Sequence, residues 1–224
     1  MIALAAACLF VLIWSTGFIV ARFAVPHGSP EMVLAIRLTL TAMLLGLVAL
    51  SQRQAMPRGR RLALHLAAGA MMHGVYLTVG WWTIGQGMPA GIMALLGALQ
   101  PLIVAVVSVA LLGDYLPPRG WAGLGIAITG VGCVVVPMLA RTGADTISWL
   151  PVAAGMVGIF AMAGGTLVQR GAIAGDAIWV SGAVQNAGGA MVAIVAMLMI
   201  SDYRWDNSAT LWAALAWSVL GLSA

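Results

Sequence analysis

The sequence predicts an all-α integral membrane protein, a multi-span bundle of about eight helices. Of its 224 residues, 62% are hydrophobic and only 7% are charged. The mean hydropathy of +1.06 lies far above that of water-soluble domains. The apolar residues run in segments of about 20, the length that crosses a bilayer as a helix. The loops between them hold nearly every charge and are too short to fold as soluble domains.

Eight spans result when the chain is divided at its polar and Gly/Pro-rich points. The first lacks a basic n-region and is too long for a signal peptide, so we interpret it as a retained helix. The fifth and sixth flank the boundary of an internal repeat described below. The predicted spans cover residues 2–23, 31–50, 62–86, 90–112, 120–140, 149–169, 178–200 and 209 to the end.

The arginines indicate orientation. The net charge of +4 comes from arginine alone, because the chain has no lysine. These arginines are scattered over loops and form no basic groove with interleaved aromatics, so no nucleic-acid partner is predicted. Four of them crowd the loop after the second span: Arg53, Arg58, Arg60 and Arg61. The positive-inside rule therefore predicts a cytoplasmic N-terminus, in a cell membrane that we expect to be the bacterial inner membrane.

Catalytic and metal-binding patterns are absent from the sequence. The two cysteines, Cys8 and Cys133, show neither CxxC nor Cys/His spacing, which argues against a disulfide framework and a metal site. No predicted span contains a nucleophile–base pair or paired carboxylates. We therefore predict that the protein is not an enzyme and needs no cofactor.

An internal repeat appears at an offset of 148 residues. The segment GFIVARFA from Gly17 aligns with GTLVQRGA from Gly165. Because five spans precede the second copy, it enters the membrane from the opposite side, as in the inverted repeats of secondary transporters. We predict a five-helix repeat over residues 1–140 and a partial second repeat over 141–224. On this offset we expect further C-terminal helices, or a partner chain that supplies them.

Two long segments carry a family resemblance: WSTGFIVARFAVPHGSPEMVLAIRLTLTAMLL and ALLGALQPLIVAVVSVALLGDYLPPRGWAGLGIAITGVGCVVV. They resemble the EamA-like branch of the drug/metabolite transporter superfamily. The resemblance implies ten helices in two inverted five-helix repeats, and export of amino acids, other metabolites or drugs. The family more often has Glu where this chain has Gln100 and Asp114. The second copy of the proline-containing helix is absent.

Arg37, in the second span, is the sharpest candidate for a functional residue. A charge inside a bilayer is costly and usually faces a cavity or a partner. The repeat places Gln185, followed by Asn186, at the equivalent position, so both copies carry a polar group there. Alternatively, Arg37 lies only about 9 Å along its helix from the outer surface and can snorkel to the headgroups.

Other candidates for a substrate cavity lie in the first and third spans. Trp14 and Ser15 place an aromatic ring beside a hydroxyl, which suits one wall of a pocket. Tyr76 is deeper in the membrane than the tryptophans that follow it. His73 is the only titratable type near the middle of a span besides Arg37, so coupling to protons would fall to it. Without such coupling the protein would be a facilitator.

Gln100 and Pro101 mark a break in the fourth span. Proline removes one backbone hydrogen bond and frees a carbonyl one turn earlier. A simple kink explains Pro101 itself, whereas the family resemblance favours a cavity-lining role for Gln100.

The predicted function is export of amino acids or related small metabolites by alternating access. An arginine and several amides favour a substrate with a carboxylate, and Arg37 would repel a hydrophobic cation. The alternative is an incomplete membrane subunit that functions only with a partner chain. The predicted partners are a small-molecule substrate and the lipid bilayer, with a homodimer or additional C-terminal helices as further possibilities.

Overall fold

The computed structural model describes residues 12–13, 16–141 and 149–222, which form eight helices and no strand. The fold class predicted from the sequence is confirmed. The helices are α1 (Gly17–Ala24), α2 (Pro30–Ser51), α3 (Gly59–Gly85), α4 (Ala90–Leu112), α5 (Pro118–Arg141), α6 (Trp149–Gly171), α7 (Ile178–Ile200) and α8 (Ala209–Leu220).

Five of these helices are long and apolar enough to cross a membrane, namely α2, α3, α4, α6 and α7, while α8 is a shorter apolar helix. The bounds of α4 and α7 coincide with the predicted spans 90–112 and 178–200. Helix α2 begins one residue before its predicted span, at Pro30. Proline is favoured at a first helical position because its missing N–H would have no partner there.

Helices α2 and α7 form the centre of the bundle and run antiparallel. The start of α2 meets the end of α7, where the Ser201 hydroxyl donates to the Ser29 hydroxyl at 2.9 Å. At the other end, a Cβ on Gly182 would lie 2.8 Å from Leu45. Between these points, leucines of α2 and alanines of α7 belong to one apolar core. That core includes Leu34, Leu38, Ala190 and Ala193.

Helix α3 crosses α7 at very short range, and glycines make the approach possible. A Cβ on Gly69 would lie 1.9 Å from the carbonyl oxygen of Gln185, and one on Gly188 would lie 2.2 Å from that of Leu66. Small residues at helix crossings in membranes let backbones approach in this way.

Two of the spans are irregular. Helix α3 contains a π-helical segment, Ala70–Val75, between its two α-helical parts. Helix α4 is interrupted at residues 98–99, between Ala90–Gly97 and Gln100–Leu112. Pro101 is the second residue of the later segment, so the interruption lies within the turn before the proline, which cannot supply the backbone N–H of a regular helix.

Ionic contacts tie loops together at both ends of the bundle. At one end, loops 25–29 and 201–208 are joined by hydrogen bonds from Ser29 N–H to the Arg204 carbonyl and from Asp206 N–H to the His27 carbonyl. The His27 ring also contacts Asp206 at 2.5 Å. At the other end, Asp176 contacts Arg61 and His65. These ends are called the Asp206 end and the Asp176 end.

The contacts of Asp206 predict a pH dependence of stability. Hydrogen bonds from the Ser208 backbone N–H and from His27 lower the pKa of Asp206 to about 2, from a usual value of 3.8. A carboxyl with a lower pKa in the folded state stabilises the fold above its ordinary pKa, and this contribution is lost as pH falls toward 2. We expect the Tm in detergent to fall between about pH 5 and pH 2, and to fall less for Asp206→Asn. Parallel Tm profiles for the two proteins would contradict this assignment.

Candidate functional site

Four of the predicted residues lie on α2, α3 and α7, helices that pack against one another: Arg37, His73, Gln185 and Asn186. We call them the central polar cluster. Arg37, Gln185 and Asn186 are buried, with Arg37 only 5% exposed, and His73 is half-buried. Arg37 is close enough to His73 to interact with it electrostatically. His73 in turn lies against Gly189, whose added Cβ would be 2.8 Å from the His73 Cβ, one turn from Gln185.

Arg37 lies on the interior side of α2. The lipid-facing side of this helix carries exposed apolar residues such as Met43 and Leu47, whereas Arg37 shares its buried side with Leu38 and Thr41. A snorkelling arginine would extend its side chain along the outer surface of the bundle. The burial of Arg37 therefore favours an interior role over that alternative.

The amide groups of the cluster leave hydrogen-bonding capacity unused. The Asn186 side-chain nitrogen donates to the carbonyl of Gly182 at 2.9 Å. Its Oδ1, like Nε2 of Gln185, is buried and has no hydrogen-bond partner among the described residues. An unsatisfied buried polar group costs roughly 1–3 kcal/mol, and a native structure that retains one needs a reason. A ligand that pairs with these atoms would supply one.

Thr41, which was not among the residues predicted from the sequence, belongs beside this cluster. Thr41 lies one turn after Arg37 on α2 and is fully buried. Its hydroxyl oxygen also lacks a hydrogen-bond partner among the described residues. Its i,i+4 spacing from Arg37 could have indicated this position, since residues four apart lie on the same side of a helix.

Tyr76 and Gln100 belong to a different part of the bundle. The Tyr76 ring packs edge-on against Phe18 with 6.0 Å between centroids, and its hydroxyl would lie 3.1 Å from a Cβ on Gly97. Gln100 Nε2 donates to the Thr166 hydroxyl at 3.1 Å. These contacts connect α3 with α1 and α4, and α4 with α6. They do not join Tyr76 or Gln100 to the central polar cluster.

Trp14 and Ser15 lie outside the described residues. The neighbouring hydroxyl, Thr16, donates to the carbonyl of Ile13 at 2.6 Å and accepts a hydrogen bond from Trp217 Nε1 at 2.9 Å. Thr16 therefore connects α1 to α8.

A polar contact between α4 and α6 was also absent from the predictions. Arg170 forms an ion pair with Asp114 at 2.8 Å and donates to the buried Ser108 hydroxyl at 3.3 Å. Asp114 ends the LLGD segment, and Arg170 is the arginine of the repeated GTLVQRGA segment. The sequence motifs therefore contained both residues, but nothing in the sequence indicated that Asp114 and Arg170 pair.

Two cavities open at the Asp206 end of the bundle. One has a volume of about 170 Å³ and is lined mainly by ends of α2, α3 and α7 with loop 201–208. The other, of about 420 Å³, is lined by Arg22 and by residues around the α3–α4 loop. None of the six described candidates, Arg37, His73, Tyr76, Gln100, Gln185 and Asn186, lines either cavity.

A comparison with known families decides the class of the protein. The model of the EamA-like transporter family matches residues 1–136, more than half of the chain. The protein belongs to the EamA-like transporter family. This confirms the resemblance seen in the sequence and makes the chain a membrane transporter of the drug/metabolite type. The match extends from the N-terminus into α5 of this EamA-like protein. No curated protein matches it.

Proposed function

We propose that this EamA-like protein exports amino acids or related small metabolites by alternating access. The observation that carries the proposal is the central polar cluster, which buries an arginine and two amides among apolar membrane-spanning helices. Ionisable groups at such positions are rare in membrane proteins and typically mark substrate or ion pathways.

The chemistry of the cluster supports the substrate class. A guanidinium binds a carboxylate through two parallel hydrogen bonds, which makes Arg37 suited to an anionic or zwitterionic ligand. Nε2 of Gln185 has N–H groups available to donate, and Oδ1 of Asn186 can accept from an amine or hydroxyl. A hydrophobic cation would be repelled by Arg37, so such a substrate is disfavoured.

The arrangement of α2 and α7 supports an inverted repeat, the architecture that underlies alternating access in many transporters. Shifted by 148 residues, α2 would begin at residue 178, where α7 begins. The same shift relates Arg37 to Gln185, and both lie in the central polar cluster. Inverted copies must enter the membrane from opposite sides, and the two helices run antiparallel as this requires.

We place the Asp176 end of the bundle in the cytoplasm. The contacts of Asp176 with Arg61 and of Arg170 with Asp114 gather loops 52–58, 113–117 and 172–177 at this end. The excess of positive charge at this end agrees with the positive-inside rule and supports a cytoplasmic N-terminus. The membrane that we propose is the bacterial inner membrane. The arginines of the Asp176 end are Arg53, Arg58, Arg60, Arg61, Arg119 and Arg170.

The test is Arg37→Gln, which keeps the polarity and approximate size but removes the charge. We expect efflux of radiolabelled L-amino acids from proteoliposomes to fall at least about tenfold, equivalent to about 1.4 kcal/mol of lost interaction with the substrate. The Tm should change little, because glutamine still offers hydrogen bonds. The measurement uses a panel of amino acids and follows the one that wild type transports fastest.

Arg22→Gln is the matched control, because Arg22 is exposed on α1 away from the cluster. This variant should transport at the wild-type rate. Equal losses of transport rate in both variants would contradict the role of Arg37. So would a fall in the yield of folded Arg37→Gln protein that matches the fall in its transport rate. Absence of transport for every amino acid in wild type would refute the proposed substrate class.

A further inference from the structure

The smaller cavity at the Asp206 end holds a buried acid. Its lining includes Glu31, Trp82, Gln86, Asp202 and Arg204, and we call it the Glu31 cavity. Its volume of about 170 Å³ is below the 300–1,000 Å³ typical of drug-sized pockets. The cavity therefore suits a ligand, or a ligand headgroup, of only a few heavy atoms.

Glu31 is the buried acid of this cavity, and its carboxylate accepts a hydrogen bond from its own backbone N–H. The residue is only 3% exposed and forms no ion pair within 4 Å with any residue that the structure describes. The other two charges of the cavity pair with each other, Arg204 Nε lying 3.3 Å from Asp202. The lining therefore carries a net formal charge of −1, with Arg204 close enough to both acids to attract them. A buried carboxylate is costly unless a cation or hydrogen-bond donors compensate it.

The remaining lining matches one type of cation. A primary ammonium group has three N–H donors and no acceptor. Three residues of the lining, Glu31, Gln86 and Asp202, carry side-chain oxygens that can accept hydrogen bonds. The Trp82 ring adds an aromatic surface, which attracts cations through its negative face.

We propose that the Glu31 cavity binds the protonated primary amine of a small ligand, with Glu31 as the principal acceptor. Since the cavity opens at a membrane end of the bundle, the amine has two possible sources. One is a free amine or amino acid in solution, and the other is the headgroup of an ethanolamine lipid. Both present the same ammonium group, so the experiment has to separate them.

The site is distinct from the central polar cluster. Glu31 precedes Arg37 by more than one and a half turns of α2, and no member of the cluster lines the cavity. Binding there can be measured at equilibrium without a gradient. Failure to bind an amine would therefore leave the transport proposal intact, and failure of transport would leave this one intact.

The test is calorimetric titration of the full chain in nanodiscs of phosphatidylcholine. The probes are ethanolamine and glycolate, which share size and a hydroxyl group but carry opposite charges. We expect ethanolamine to bind and glycolate not to bind. Glu31→Gln should weaken ethanolamine binding at least about tenfold, because it removes the charge but keeps the shape. Asp114→Asn, the same change at the opposite end of the bundle, should leave the affinity unchanged.

Arg204→Gln gives a test of opposite sign. Removing this cation changes the formal charge of the lining from −1 to −2, so ethanolamine should bind several-fold more tightly. A purely structural role for Arg204 would not strengthen binding. Arg204→Gln also tests the proposal if Glu31→Gln does not fold. Unchanged or weaker ethanolamine binding by Arg204→Gln would overturn the proposal.

Nanodiscs that contain phosphatidylethanolamine separate the two sources. Loss of ethanolamine binding in these discs supports the lipid headgroup as the natural ligand, and undiminished binding supports a soluble amine. The proposal is overturned if wild type and Glu31→Gln bind ethanolamine equally, if glycolate binds as well as ethanolamine, or if ethanolamine binds in neither kind of disc.

Discussion

Gly188→Ala and Gly69→Ala are each expected to prevent the native bundle from forming. An added Cβ at Gly188 would lie 2.2 Å from the Leu66 carbonyl oxygen, and one at Gly69 would lie 1.9 Å from that of Gln185. Real Cβ contacts are essentially never this short. The obstructing atoms belong to the backbone of the opposing helix, so no side-chain rotation relieves the overlap and α3 must move away from α7.

The cost should exceed the ordinary penalty for overpacking. Inserting a methyl group into a packed core typically costs about 1–3 kcal/mol. Separating α3 from α7 also loosens the central polar cluster, because His73 lies against Gly189 at the same crossing. We expect little monodisperse protein in size-exclusion chromatography, and a Tm lowered by roughly 10 °C or more in any that remains.

Gly123→Ala on α5 is the matched control, since an added Cβ there would meet no atom of a neighbouring element within 4 Å among the described residues. Alanine is the better helix former by about 1 kcal/mol, so this variant should be as stable as wild type or slightly more stable. Gly69→Ala and Gly188→Ala gain the same helix propensity. If they melted like Gly123→Ala, the close crossing of α3 and α7 would be wrong.

Asp176→Ala is expected to lower the Tm by roughly 5 °C through its effect on His65. His65 is completely buried, and its Nε2 lies 2.8 Å from Asp176. The other ring nitrogen, Nδ1, already lacks a hydrogen-bond partner among the described residues. Without Asp176, Nε2 also loses its described hydrogen bond, and a buried polar group without a partner is destabilising.

This contribution should also depend on pH. Hydrogen bonds from Arg61 and then from His65 lower the pKa of Asp176 below its usual 3.8. The stabilisation is therefore present above about pH 4 and is lost as pH falls further, so wild type and Asp176→Ala should differ least in acid. The measurement is Tm in detergent at several pH values.

Two further variants identify the cause. Asp114→Ala breaks an ion pair whose side chains are largely exposed, and such pairs contribute only about 0–1 kcal/mol, so its Tm should barely change. Adding His65→Phe to Asp176→Ala removes the polar ring together with its lost partner, and should restore part of the Tm. If the double variant melted lower than Asp176→Ala, burial of an unsatisfied His65 would not be the cause.

The sequence by itself determined the fold class, the approximate limits of helices α2 to α7 and the family. Bilayer thickness dictates how long an apolar segment must be, so hydropathy alone located α4 and α7 to the residue. The break in α4 near Pro101 was also predictable from the sequence, because proline lacks a backbone N–H in any environment. The family followed from segments around Arg37 and Gln100 that lie within the matched region.

Only the tertiary structure decided which polar residues meet. It buried Arg37, Gln185 and Glu31, joined Gln100 to Thr166, and brought Asp176 into contact with His65. In a water-soluble helix, periodicity distinguishes the buried side from the exposed side. Lipid tails are as apolar as a protein core, so a membrane helix is apolar on every side, and only its packing partners determine which side is buried.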